Sequence, residues 1–87
     1  MVMEPSYLDV TGLNRRQLRL VEAAERAGYA WWGMEPEPTG VVIEGPDRYL
    51  YVYRGRGEGA TVFVYDQSGL HRVTQKVAFT LLHHRAL

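Results

Sequence analysis

The chain contains no cysteine, which excludes a disulfide framework and any thiolate metal site. Lysine is almost missing too: of ten basic residues only Lys76 is lysine, and the other nine are arginine. Asparagine occurs once, at Asn14. A GC-rich genome and a thermophilic source both produce that bias, and the residues do not separate them. No apolar run approaches the roughly 20 residues that a membrane-crossing helix needs. Met1-Val2-Met3-Glu4-Pro5 shows no basic stretch followed by an apolar one, so no secretory leader is read there. A cytoplasmic location without membrane contact is the expectation.

A net charge of one sign is also lacking, since ten basic residues balance ten acidic ones. A protein basic throughout would point to nucleic acid. The balance is uneven along the chain, however. Residues 1–47 hold four arginines against eight acidic residues, and residues 48–87 hold six basic against two acidic. A local basic patch remains open.

What is present describes one small domain spanning 1–87. Its 46% hydrophobic and 23% charged residues are ordinary for a globular chain, and at 87 residues folding buries roughly 60–65% of the unfolded surface. Residues 1–12 read as an extended lead-in broken by Pro5 and Gly12. A helix is expected over 14–28. Asn14 caps it, Gln17 reaches back from the third helical position, and Gly28 supplies the left-handed residue that ends it. Leu20, Val21, Ala24 and Ala27 share one face at helical spacing. Tyr29 to Met34 is short, aromatic and a candidate extended segment. Residues 35–40, with Pro36 and Pro38, must be a loop.

Val41-Val42-Ile43, Arg48 to Arg54 and Thr61 to Tyr65 read as strands by their β-branched and aromatic content and their alternation. Gly45-Pro46-Asp47, residues 55–59 and Asp66-Gln67-Ser68-Gly69 are the turns between and after them. Residues 70–73 make either a fourth strand or the start of the last helix, with the strand preferred and the helix capped at Thr74. The expected fold is therefore α+β: an N-terminal helix, an antiparallel meander of three to four strands and a C-terminal helix.

Strand parity sorts the meander into two faces. Val41, Ile43, Leu50, Val52, Val62 and Val64 form an aliphatic face, to be covered by the helices through Leu20, Val21, Val77 and Leu81. Tyr49, Tyr51, Tyr53, Phe63 and Tyr65 fall on the other. This assumes Ile43 paired with Arg48, which sets Val42 beside Tyr49, and Val52 paired with Val62. An exposed antiparallel face normally shows polar residues to water. Five aromatic rings amount to several hundred Å² at roughly 150–250 Å² each. Three covers are open: Trp31, Trp32 and Met34 or a helix folding back over the rings, a second copy or another protein, or nucleic-acid bases stacked on them.

The remaining candidates carry less chemistry. Arg15, Arg19 and Arg26 lie along the polar side of the first helix, where pairing with Glu22 explains them as well as phosphate contact does. The Arg54-Gly55-Arg56-Gly57-Glu58-Gly59 run joins two strands, not a strand to a helix, so it lacks the context of a phosphate loop and reads as a mobile hairpin loop. His71, His83 and His84 have no metal-ligand spacing. Ser6, Ser68 and the threonines occupy no nucleophile elbow, and Glu35 and Glu37 sit in a proline-rich loop. No enzyme, cofactor, metal or small-molecule substrate is expected. In element order the chain is similar to double-stranded-RNA-binding domains, which carry basic residues at the start of their last helix; Arg72 and Lys76 stand there in this chain. The likeness is one of outline only.

The leading expectation is a protein-interaction module, homodimeric or part of an assembly, contacting its partner through Tyr49, Tyr51, Tyr53, Phe63, Tyr65, Trp31 and Trp32. The alternative is nucleic-acid binding through Arg15, Arg19, Arg54 and Arg56 with neighbouring tyrosines.

Overall fold

The computed structural model describes residues 12–34 and 40–87. The lead-in over 1–11 and the proline-rich loop over 35–39 lie outside the described residues. Two helices and five strands follow in order: α1 (Arg15–Ala27), β1 (Ala30–Gly33), β2 (Gly40–Glu44), β3 (Tyr49–Arg54), β4 (Ala60–Asp66), β5 (Gly69–Val73) and α2 (Gln75–His83). The strands form one antiparallel meander in sequence order. Its fifth member is the Ala30-Trp31-Trp32-Gly33 segment, which pairs with β2. The fold is α+β with both helices on the aliphatic face, and one strand larger than expected.

Local chemistry accounts for the helix ends. The Asn14 side chain accepts from the Gln17 amide while the Gln17 side chain accepts from the Asn14 amide, so two of the helix's free N–H groups are satisfied reciprocally. Gly28 closes α1 with φ of 87°, a left-handed geometry that costs glycine little. Thr74 caps α2 by accepting from Val77 N–H at 3.1 Å.

The pairing of β3 with β4 is the one that parity suggested: Val52 faces Val62, Tyr51 faces Phe63 and Tyr49 faces Tyr65. The β2–β3 hairpin differs. Ile43 pairs with Leu50 rather than with Arg48, and Val42 lies beside Tyr51 rather than Tyr49. The reason is a turn displaced by one residue: Gly45 N–H donates to the Arg48 carbonyl at 2.9 Å, so Pro46 and Asp47 stand at the tip rather than Gly45 and Pro46. A shift of two residues conserves parity, so every side chain keeps its face.

The core lies between the aliphatic face and the helices. Leu20, Val21, Ala23 and Ala24 of α1 and Ala78 and Leu82 of α2 close over Val41, Ile43, Leu50, Val52, Val62 and Val64. Val77 does not join them and is 43% exposed. Rows 77/81 and 78/82 are neighbours about 100° apart on a helix. The packing of α2 against α1 buries the second; of the first, Leu81 still packs against the core, as expected, while Val77 does not. Leu87 is buried in the same core; its carbonyl accepts from Asp47 N–H at 3.1 Å and its N–H donates to the Tyr29 hydroxyl at 3.0 Å. Gly45 makes room for it, because a Cβ there would lie 2.3 Å from that of Leu87.

Candidate functional site

Sheet register brings the predicted aromatic residues together. Tyr49, Tyr51 and Tyr53 of β3 and Phe63 and Tyr65 of β4 share the face turned away from both helices. Trp32 joins them from β1 through its pairing with Val42. Trp31 does not. Alternation sends it to the helix side opposite Ile43, where it packs against the core and its indole N–H donates to Glu25 at 2.9 Å. It leaves the list of candidate contacts.

The rings pack on one another across the sheet. Tyr49 and Tyr51 stack at 6.4 Å between centroids, Tyr65 stands edge-on to Tyr51 at 6.4 Å, and Tyr53 meets Phe63 edge-on at 5.9 Å. These are favourable aromatic geometries, yet they leave much of the rings open. Trp32 is 39% exposed, Tyr53 39%, Tyr65 48%, and Leu70 beside Tyr65 56%. Met34 gives partial internal cover at one corner. Gly40 has no side chain, and the Met34 sulfur fills that space, 2.8 Å from where a Cβ would stand and next to Tyr53. Glu44 and Arg72 frame the face on β2 and β5, and both are exposed.

Of the predicted arginines, Arg15, Arg54 and Arg56 stand at the β3–β4 loop, and Arg19 lies one turn along α1 beside Glu22, Phe79 and His83. The loop is tied down. Gly55 N–H donates to the Gly59 carbonyl and Gly59 N–H to the Arg56 carbonyl, at 2.9 and 2.8 Å. The Asn14 side chain reaches the Gly59 carbonyl at 2.7 Å and that of Gly57 at 3.4 Å. The Glu58 carboxylate accepts from the Arg15 backbone N–H at 2.8 Å, and so occupies the positive end of α1 that would otherwise draw an anion. Gln75 adds the start of α2 to this cluster by donating to the Ala60 carbonyl at 3.0 Å and accepting from Arg16. Arg15, Arg16, Arg19, Arg54, Arg56 and Lys76 are all exposed. The expected pairing of Glu22 with Arg19 and Arg26 is not made: among the described residues the one ion pair is His71 with Asp66, at the β4–β5 hairpin. All ten basic residues and six of the ten acidic ones are described; Glu4, Asp9, Glu35 and Glu37 lie outside.

The β4–β5 turn brings Asp66, Ser68 and His71 together, a trio not foreseen as a group. The Ser68 hydroxyl lies 2.8 Å from Asp66 Oδ1 and 3.0 Å from His71 Nε2, and the same Nε2 is 3.4 Å from Asp66. A nucleophile relay needs the carboxylate on one imidazole nitrogen and the hydroxyl on the other. Here both crowd one nitrogen and the hydroxyl proton is drawn to Asp66. The arrangement is that of a turn: Asp66 also accepts from Ser68 N–H at 2.9 Å, and Gly69 continues with φ of 109°. The two Ser68 hydrogen bonds, with His71 adding less, hold the Asp66 carboxyl below its ordinary pKa.

Among the described residues no group of three or more His, Cys, Asp or Glu is placed to hold a metal ion, and no helix is long and apolar enough to cross a membrane. Comparison with protein-family models, with curated proteins and with solved structures finds no match to this chain.

Proposed function

We propose that the chain is a small cytoplasmic protein-interaction module that pairs with a second copy of itself through the aromatic sheet face. The observation that carries this reading is the division of labour between the two faces. Both helices lie over the aliphatic side, while Trp32, Tyr53, Tyr65 and Leu70 remain 39% exposed or more on the other. Tyrosine and tryptophan are the residues that anchor interfaces, because they bury large area with few rotatable bonds.

Self-pairing fits the charges at the margin. A two-fold axis parallel to the strands, between β3 and β4, lays β2 of one copy over β5 of the other. Glu44 then lies over Leu70 and two residues along the strand from Arg72, an offset that a long arginine side chain spans, twice across the interface. The centre is aromatic on aromatic, as an isologous contact requires. β1 overhangs this axis, so four strands about 4.8 Å apart and about five residues long overlap across on the order of 300 Å². That is below the standard specific interface and in the class of weak, transient contacts, so a dissociation constant on the order of micromolar or weaker is expected.

Sedimentation equilibrium tests this directly. The expected species is a dimer that Tyr65→Glu and Glu44→Arg each drive to monomer, with Glu44→Arg/Arg72→Glu restoring association. A chain that stays monomeric at roughly a hundred times that constant, or association indifferent to all three variants, overturns the reading.

A further inference from the structure

We infer that the cationic end formed by α1, the β3–β4 loop and the start of α2 binds the phosphodiester backbone of nucleic acid. Six exposed cations stand on these segments: Arg15, Arg16, Arg19, Arg54, Arg56 and Lys76. They belong to segments that touch one another through Asn14, Glu58 and Gln75. Among the described residues none of them is in an ion pair, since the one ion pair there lies at the β4–β5 hairpin. Of the carboxylates nearby, Glu58 is held by a backbone N–H at 2.8 Å, and Glu22 stands beside Arg19 at the far side of the cluster.

The chemistry of the cations selects the ligand. Five of the six are arginine, whose planar fork matches phosphate oxygens in pairs and is weakly hydrated. The frame that carries Arg54 and Arg56 is fixed by the loop's own hydrogen bonds and by its contacts to Asn14, so few degrees of freedom remain to be lost on binding. With Glu58 on the end of α1, an anion cannot be received there by free backbone N–H groups. Contacts must come from spread side chains. Beside them runs an open groove of about 630 Å³ between Ala60, Thr61 and Arg72 to Lys76, a trough along a surface and not an enclosure for one phosphate. Distributed charge over an open groove suits a polymer of phosphates rather than a mononucleotide. A lipid surface is the weaker fit, because Val77 and Tyr53 are the large apolar side chains exposed near this end among the described residues and they stand on different elements, whereas stable membrane binding takes a second anchoring element.

The arginines of α1 and of the β3–β4 loop lie off the aromatic face, and the groove reaches round to Arg72 at its margin, so variants of Arg54 and Arg56 keep this inference separable from the self-pairing. The test is fluorescence anisotropy with a labelled single strand and the matching duplex, titrated across salt. Binding independent of base sequence is expected, with about five phosphates neutralised and log K falling against log salt with a slope of about −3.5 on the single strand or about −4.5 on the duplex. Arg54→Ala and Arg56→Ala should each weaken binding several-fold and flatten the slope by about 0.7–0.9. Glu58→Gln keeps the acceptor for Arg15 N–H and removes a negative charge, so it should tighten binding. Tyr65→Glu, on the far face, should leave the salt slope unchanged even where it abolishes the dimer. No binding at about 50 mM salt, binding indifferent to both arginine variants, or tighter binding to phosphatidylserine-rich vesicles than to either oligonucleotide overturns the inference.

Discussion

Gln17 is the one polar side chain fully buried among the described residues, and replacing it with methionine isolates what a buried amide contributes to this fold. The volume is nearly kept, so little cavity or strain is introduced. What goes is a bridge. Its Oε1 accepts from Asn14 N–H at 2.9 Å and its Nε2 donates to the Val52 carbonyl at 3.1 Å, joining the first turn of α1 to the middle of the sheet. Both partners are backbone groups and stay behind. Removing one side of a hydrogen bond leaves the other desolvated, which costs more than the net value of the bond itself. Two bonds at roughly 0.5–1.5 kcal/mol each, plus the stranded partners, give about 2–3 kcal/mol of lost stability.

For a domain of this size that loss lowers the melting midpoint by roughly 10–15 °C. Urea denaturation followed by circular dichroism measures it, with the slope of the transition unchanged if the native fold is kept. Asn14→Ala supplies the second edge of a double-mutant cycle. Because Asn14 and Gln17 cap each other, the two losses should fall short of adding by about 0.5–1 kcal/mol. A Gln17→Met protein within about 0.5 kcal/mol of the parent would refute the reasoning: the amide's desolvation would then cancel its bonds, and the cap would owe its stability to Asn14 alone.

Two further outcomes follow from the turns. Gly45→Ala should destabilise by about 2 kcal/mol, because the new methyl meets the Leu87 backbone at 2.7 Å and must expel a side chain that is 2% exposed; a stability unchanged in urea would mean that the Leu87 seat is not part of the cooperative core. Ser68→Ala should raise the Asp66 pKa toward the ordinary carboxylate range, read by carboxyl carbon chemical shifts against pH. The sign is set by the depressed folded value: Asp66 stabilises the fold above the unfolded carboxylate pKa, and that contribution is lost as pH falls through the lowered one. An Asp66 titration unmoved by the substitution would show that Ser68 is not its main partner.

Parity and caps were legible in the residues because they depend on near neighbours. The reciprocal Asn14–Gln17 cap follows from spacing alone, and the two faces of β3 and β4 follow from alternation whatever the exact register. That is why a two-residue error at the β2–β3 turn cost no side-chain assignment. Trp31 was out of reach for the same reason turned around. Its face depends on how β1 pairs with β2, across a proline-rich loop whose length places no constraint on parity. Val77 failed differently: Val77, Ala78, Leu81 and Leu82 present two adjacent rows on the helix, and only the position of α1 decides which is buried more deeply. The second bond of Gln17, to a carbonyl 35 residues away, and the Glu58 contact to α1, 43 residues away, have no local signature at all.

The Glu58 contact changes how the arginines must be weighed. Read along the chain, Arg15, Arg19 and Arg26 are interleaved with Glu22 and Glu25 and look self-neutralising, and Arg56 sits two residues before Glu58. Folding breaks both arrangements. Glu58 turns to the end of α1, Glu25 to the Trp31 indole, and neither forms an ion pair with an arginine among the described residues. Exposed ion pairs contribute so little that a chain is free to leave them unmade, and the acids were drawn to N–H donors instead. The result is a sheet face without charge at its centre and a helix-side end with cations left over. Selection for stability alone has no use for the second, since like charges gathered on one end repel. A ligand carrying the opposite charge is what would make the gathering favourable, and the salt slope measures whether it does.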